Sequence, residues 1–150
     1  MQKRKGKALV WLRNDLRIKD QASFYHATHK HETVIAFYSF DPIHYNETQW
    51  GFKKTEAFRA QFLLESLAQL QKDLLKHNIS LVISQENPAK GTQELIKDHA
   101  ITDLYWQKEW TQEEREREDE VRALLSENIS VHTHYDQFLF HPEDVPMEID

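Results

Sequence analysis

Short, unbroken apolar runs alternate along this chain with longer stretches in which apolar residues recur every three or four positions. The first run, Ala8 to Leu12, carries no polar side chain and stops at Arg13, Asn14 and Asp15. It is too short for a helix and has no polar face, so it predicts a strand covered on both sides, as in the middle of a parallel sheet. Thr33–Phe40 predicts a second strand from its β-branched and aromatic content, closed by Asp41-Pro42. Ile79–Ser84, Thr102–Gln107 and Ile129–His134 predict three more. Helical patterns fill the gaps. Gln21–His29 is expected to start on Asp20 as N-cap. Thr55–His77 places Leu63, Leu67, Leu70 and Leu74 on one face and is stopped by Asn78. A third helix opens on Asn87-Pro88 and reaches His99, and a fourth opens on the capping box Thr111-Gln112-Glu113-Glu114 and reaches about Glu127. On this last helix, Glu113/Arg117 and Glu118/Arg122 have the i,i+4 spacing of ion pairs along a solvated face.

Strand followed by helix, repeated along the chain, requires crossover connections and hence parallel pairing. The fold class expected is α/β: an open, doubly wound, five-stranded parallel sheet with helices on both faces, Rossmann-like or flavodoxin-like, in a single domain. The 150 residues are organised as a basic tail at 1–7, an α/β domain at 8–135, and an extended tail at 136–150 that holds Pro142 and Pro146. Sheets of this kind bind ligands outside the carboxyl ends of their strands. Arg13-Asn14-Asp15-Leu16-Arg17 therefore sits where a crevice is expected. Two arginines around one aspartate either lock to it and shape the loop, or leave one guanidinium for a ligand.

Charge and composition narrow the function. With 25 acidic and 19 basic residues the net charge is −6, against the basic face that gripping nucleic acid unaided requires. Zero cysteines exclude disulfides and thiolate metal sites, and no apolar run suits a signal peptide or a membrane span, so a cytoplasmic protein is expected. Three glycines cannot supply a P-loop or a Gly-x-Gly-x-x-Gly turn, and no nucleophile elbow occurs, so no catalytic residue is assigned. Of the nine histidines, His132 and His134 share a strand face, and His26, His29 and His31 lie near the end of the first helix; neither set has a third ligand at metal-binding spacing. Trp11, Tyr105 and Trp106 are expected in the core, whereas Tyr45, Trp50, Phe52, Phe138 and Phe140 offer aromatic surface.

Several stretches, in order, resemble the photolyase/cryptochrome flavoproteins, and most closely their DASH cryptochrome branch. Trp11-Leu12-Arg13-Asn14-Asp15-Leu16-Arg17 is similar to the opening strand and loop of that family, and Tyr38-Ser39-Phe40-Asp41-Pro42 to its second strand. Lys54-Thr55-Glu56-Ala57-Phe58-Arg59-Ala60-Gln61-Phe62-Leu63-Leu64-Glu65-Ser66 resembles its long-helix signature, with Glu56-Ala57 in place of the usual Gly-Pro. Lys108-Glu109 with its following threonine and acidic run, and Phe140-His141-Pro142-Glu143-Asp144-Val145-Pro146, match two further segments. Leu12, Gln107 and Met147 depart from the residues common at those positions.

The resemblance implies the antenna-binding domain of a light-driven enzyme or blue-light receptor. The parent would use FAD, bound in a larger helical domain that this chain lacks, to repair cyclobutane pyrimidine dimers or to signal. It also implies a methenyltetrahydrofolate antenna between the two domains, held weakly or not at all by this domain alone. By position, Glu109 matches the carboxylate that pairs with the pterin ring. Lys108, Arg13, Asn14 and Asp41 are the other cofactor-binding candidates. DNA would be met only through the full-length parent, and the apolar surface left uncovered could pair two copies. The alternative is a standalone Rossmann-like module that binds a nucleotide or a protein through the same sheet edge or through an exposed patch of the aromatic residues Tyr45, Trp50, Phe52, Phe138 and Phe140.

Overall fold

The computed structural model describes residues 4–141 together with Asp144, and side chains from Gly6 onward. Lys3 and the tail residues Pro142, Glu143 and 145–150 lie outside the described residues. Five strands, β1 (Arg4–Leu12), β2 (His31–Ser39), β3 (Ser80–Ser84), β4 (Ile101–Gln107) and β5 (Ser130–His134), form one sheet in the order β3-β2-β1-β4-β5. All neighbours are parallel. This is the Rossmann-type order, which decides between the two doubly wound alternatives. Four helices connect the strands: α1 (Ala22–Lys30), α2 (Ala57–Leu75), α3 (Pro88–His99) and α4 (Gln112–Ala123).

The central position of β1 follows from its composition. Successive side chains point to opposite faces, so a run with no polar residue feeds two cores at once. Ala8, Val10 and Leu12 pack with Phe24 and Ala27 of α1 and Leu67, Leu70 and Leu74 of α2. Leu9 and Trp11 pack on the other face with Phe37, Leu104, Trp106, Ala89 of α3 and Val121 of α4. Trp11, Tyr105 and Trp106 are core residues, as their neighbours along the strands imply. Each large side chain buried this fully contributes about 1.5–3 kcal/mol. Gly91 permits the close approach of α3 to the sheet: a Cβ there would stand 2.5 Å from the Phe37 ring.

Several boundaries differ from the sequence reading, each for a local reason. β1 runs back to Arg4, so residues 4–7 extend the sheet. The cap of α1 is Gln21, whose side-chain oxygen accepts from the Phe24 N–H at 2.6 Å; Asp20 instead takes a left-handed turn at φ 52°. α2 starts at Ala57 without a side-chain cap from Glu56, and Asn78 ends the unit in the left-handed conformation, φ 57°. Asn87 and Pro88 open α3, and the Thr111 capping box opens α4, both as expected. α4 stops at Ala123 rather than near Glu127, because Leu125 and Ile129 turn in against the second core.

Candidate functional site

β3 connects through α3 to β4 on the far side of β1, so the winding reverses between β1 and β4. A crevice of about 130 Å³ opens at the carboxyl ends of β1, β2 and β4. Arg13, Asn14, Asp41 and Glu109 line it, joined by Glu114 and Arg117 from α4, Arg59 from α2, and a wall of Tyr38, Phe40 and Tyr45. Four of the five predicted site residues thus converge. Lys108 does not: its backbone N–H bonds the His134 carbonyl, its ammonium lies 5.0 Å from the Tyr135 ring centroid, and it lines a different hollow. Glu109 borders both hollows, whereas Lys108 borders only the second.

The expected lock between Asp15 and an arginine does not form. Asp15 is buried, but it accepts from the Arg13 backbone N–H at 2.9 Å and from Gln21 Nε2 at 2.6 Å. Arg17 turns away and donates through Nε to the Asp20 carbonyl. The Arg13 guanidinium reaches across the crevice, to Glu118 Oε1 at 2.6 Å, the Glu114 carbonyl at 2.8 Å and Glu109 Oε2 at 3.2 Å. It also lies 4.8 Å above the Trp11 ring. Glu118 Oε1 accepts in addition from the Glu109 backbone N–H, which ties α4 to the loop after β4.

Glu109 is the focus of this network. Its side chain is 1% exposed. Oε1 accepts from Asn14 Nδ2 at 2.8 Å, and the same amide nitrogen reaches Glu114 Oε1 at 3.3 Å. Two carboxylates, Glu109 and Glu118, therefore share one guanidinium, with the Glu114 backbone carbonyl as its third acceptor and the Glu114 carboxylate close by. Burial pushes the Glu109 carboxyl up to about 7, against the pull of Arg13 and with the help of the neighbouring Glu114. Burial would raise Glu114 too, but bonds from Thr111 and from Glu109, with the Arg13 charge, hold it below the usual range. Across the crevice, burial lifts the Tyr38 hydroxyl to about 12, so it stays a neutral donor.

The charges of α4 behave differently from their sequence reading. Glu113 pairs with Lys54 at 2.5 Å instead of Arg117, while Arg117 pairs with Asp41 at 3.1 Å and with Glu120. Glu118 belongs to Arg13, and Arg122 lies 4.7 Å over the Trp106 ring. Glu114, Glu118 and Arg117 are thus site residues that periodicity alone missed. The signal was present: Glu114, Glu118 and Val121 fall at i, i+4 and i+7, so the two acids share the face of the helix's one buried apolar residue. Among the described residues no group of three potential ligands could hold a metal, and no helix is long and apolar enough to cross a membrane.

The family model described as DNA photolyase matches residues 8–149. The chain belongs to the DNA photolyase family. Within it, the sequence is 36% identical over 143 residues to a cryptochrome DASH of Gloeobacter violaceus, covering 95% of this chain and 29% of that protein. It is 34% identical over 144 residues to the blue-light photoreceptor PHR2 of Arabidopsis thaliana, covering 95% and 32%. The solved cryptochrome of Synechocystis superposes with a TM-score of 0.90 at 30% identity, over 98% of this chain and 31% of that one. An archaeal photolyase from Sulfolobus tokodaii shares the fold with a TM-score of 0.76 at 21% identity, over 90% and 32%. This photolyase-family chain is an amino-terminal α/β domain of the family, and it spans about a third of the length of the relatives it matches.

Proposed function

We propose that this domain is the antenna-binding half of a DASH-type cryptochrome or photolyase, and that the crevice takes the ring edge of a methenyltetrahydrofolate. The observation that carries this is the acceptor-rich corner of Asn14, Glu109 and Glu114, facing aromatic walls at the winding reversal. An aminopyrimidinone presents adjacent N–H donors, which carboxylates accept in strong charge-assisted bonds. The fit is partial. A pocket enclosing a ligand of that size has roughly 300–1,000 Å³, against about 130 Å³ here. The crevice admits an edge of the ring and leaves the rest to a second wall.

That wall would be a helical, FAD-binding domain, and light-driven repair of pyrimidine dimers or signalling in the cytoplasm would belong to the two domains together. Bound there, the folate supplies light absorption; the residues of this domain only hold and orient it. Trp50, Phe52, Phe58 and Phe62, each more than half exposed, suit such a contact, or a second copy in its absence. Titrating methenyltetrahydrofolate into the protein and following its fluorescence tests the reading. Weak, saturable binding is expected, with no repair of dimers under light when FAD is added. Nanomolar affinity would overturn the shared-pocket reading, and absence of saturation at millimolar ligand would overturn the antenna reading.

A further inference from the structure

We infer that the seam between α1 and the edge strand β5 is an acid-sensitive latch. His134 and His26, stacked face to face, fasten the end of β5 to the helix while neutral and release it once both carry charge. Val131 packs into the second core, so alternation turns His132 and His134 to the opposite face of β5, towards α1. Aliphatic side chains fill most of that face of the sheet, but rings close it at this end. His132 lies 4.4 Å from Tyr105 and His134 lies 4.7 Å from His26, with interplanar angles of 15° and 14°. Tyr105 and His134, at 6.4 Å, are 11° from parallel.

The two histidines of β5 differ in what holds them. His132 Nε2 lies 2.9 Å from Asp103 Oδ1, so a charge on this imidazole strengthens an ion pair. His134 Nε2 is buried and has no hydrogen-bond partner among the described residues. Charge on His134 falls beside His26 and Lys30 of α1 and beside His132 of its own strand, with Asp136 as the opposing acid. Tyr105 and Asp103 face the seam from β4, His31 reaches Asp103 from β2, and Tyr25 packs edge-on against His26. Burial first, and His26 next, hold the His134 imidazole below its ordinary value.

The topology lets this end move by itself. β5 is an edge strand, paired with β4. Beyond His132 it is attached through the His134 carbonyl, which accepts from the Lys108 N–H at 2.8 Å, and through the His26 ring. Asp136 Oδ2 adds a tie to the first residue of α1, accepting from the Ala22 N–H at 3.0 Å. Repulsion between His134 and His26 therefore opens the seam from its far end, hinged on the His132–Asp103 pair, which tightens as the stack loosens. The closed seam disfavours the proton on His134 and the open one does not, so opening grows as the pH falls through the ordinary 6.5.

Hydrogen–deuterium exchange of the full chain, corrected for the intrinsic rate at each pH, measures this opening strand by strand. β3, the other edge strand, is the internal reference. Between about pH 7.5 and about pH 5, protection of residues 133–136 is expected to fall about three- to tenfold relative to β3, since each pKa unit is worth tenfold. His134→Phe keeps a flat ring in the stack and removes the titrating group, so the fall should shrink to less than about 1.5-fold. His26→Phe removes the facing charge from a half-buried helix position and should leave less than about twofold. A parent in which residues 133–136 keep the same protection relative to β3 at both pH values would overturn the latch. So would the full acid loss in His26→Phe, a result that stands whether or not His134→Phe folds.

Discussion

Asp103 and Glu109 are both buried carboxylates, one on β4 and the other in the loop that follows it, and their surroundings drive them in opposite directions. Burial raises both. At Asp103 it is outweighed: His132 Nε2 lies 2.9 Å away, Thr102 Oγ1 donates at 2.8 Å, and His31 Nε2 stands at 3.7 Å, so the acid is held below its ordinary value. At Glu109 the one guanidinium is shared with Glu118, the Glu114 carboxylate adds a second negative charge, and burial prevails. Asp103 lies beside stacked rings, Tyr105 on His132 at 4.4 Å and His26 on His134 at 4.7 Å. The balance of donors to acceptors, more than depth, separates a buried acid held ionised from one pushed towards its neutral form.

Removing the shared cation breaks that comparison most severely. Arg13→Met leaves Glu109 and Glu118 buried beside Glu114 with no counter-charge, and losing one partner of a buried pair costs about 3–5 kcal/mol. Urea unfolding at pH 7 should show a loss of that size, shrinking as the acids protonate at lower pH. A loss below about 1 kcal/mol would mean that water already screens the cluster. The next effect is on the other side. Asp103→Asn keeps the shape but weakens charge-assisted bonds worth about 2–3 kcal/mol. Because the folded acid titrates below its ordinary 3.8, this stability is present above that value and lost as the pH falls through the folded one. Parent and variant unfolding curves should differ at pH 7 and converge in acid; a gap that persists at pH 2 would contradict the donor-rich account.

The sequence disclosed the frame of the molecule better than its charge network, and the two cases differ in range. The strands, the Asn87-Pro88 start, the Thr111 capping box and the Asn78 stop are written in residues that act on their immediate neighbours. Arg13, Asn14, Asp41 and Glu109 could be placed at the crevice because a topology rule assigns it to the strand ends. What each of them binds could not be read. Arg13 finds Glu118 across 105 positions of sequence, and the nearer Asp15 is taken by Gln21, the residue that also caps α1. Likewise Glu113 and Arg117 have ideal helical spacing yet choose partners on other elements: Arg117 reaches the buried Asp41, where the pair is desolvated, and Glu113 meets Lys54 at the surface.

The finest test concerns the proton on Glu109 itself. Its folded value near 7 exceeds the ordinary 4.5, so the folded state holds the proton more tightly than the unfolded chain. Its contribution to stability is therefore complete below about 4.5 and is lost as the pH rises through about 7. The histidines work the other way. Burial holds His44 and His134 below their ordinary 6.5, and each favours the folded state increasingly as the pH rises towards that value. The raw stability of the parent can thus look flat across neutrality while two opposed slopes run beneath it. Glu109→Gln removes only one of them. The difference between variant and parent should change by about 1–2 kcal/mol between pH 5 and 8, with the variant relatively more stable at the alkaline end. The figure is smaller than the full shift implies, because Glu114 moves in the opposite sense and shares the proton. Parallel curves would mean that Glu109 stays ionised and that Arg13 suffices for all three acids.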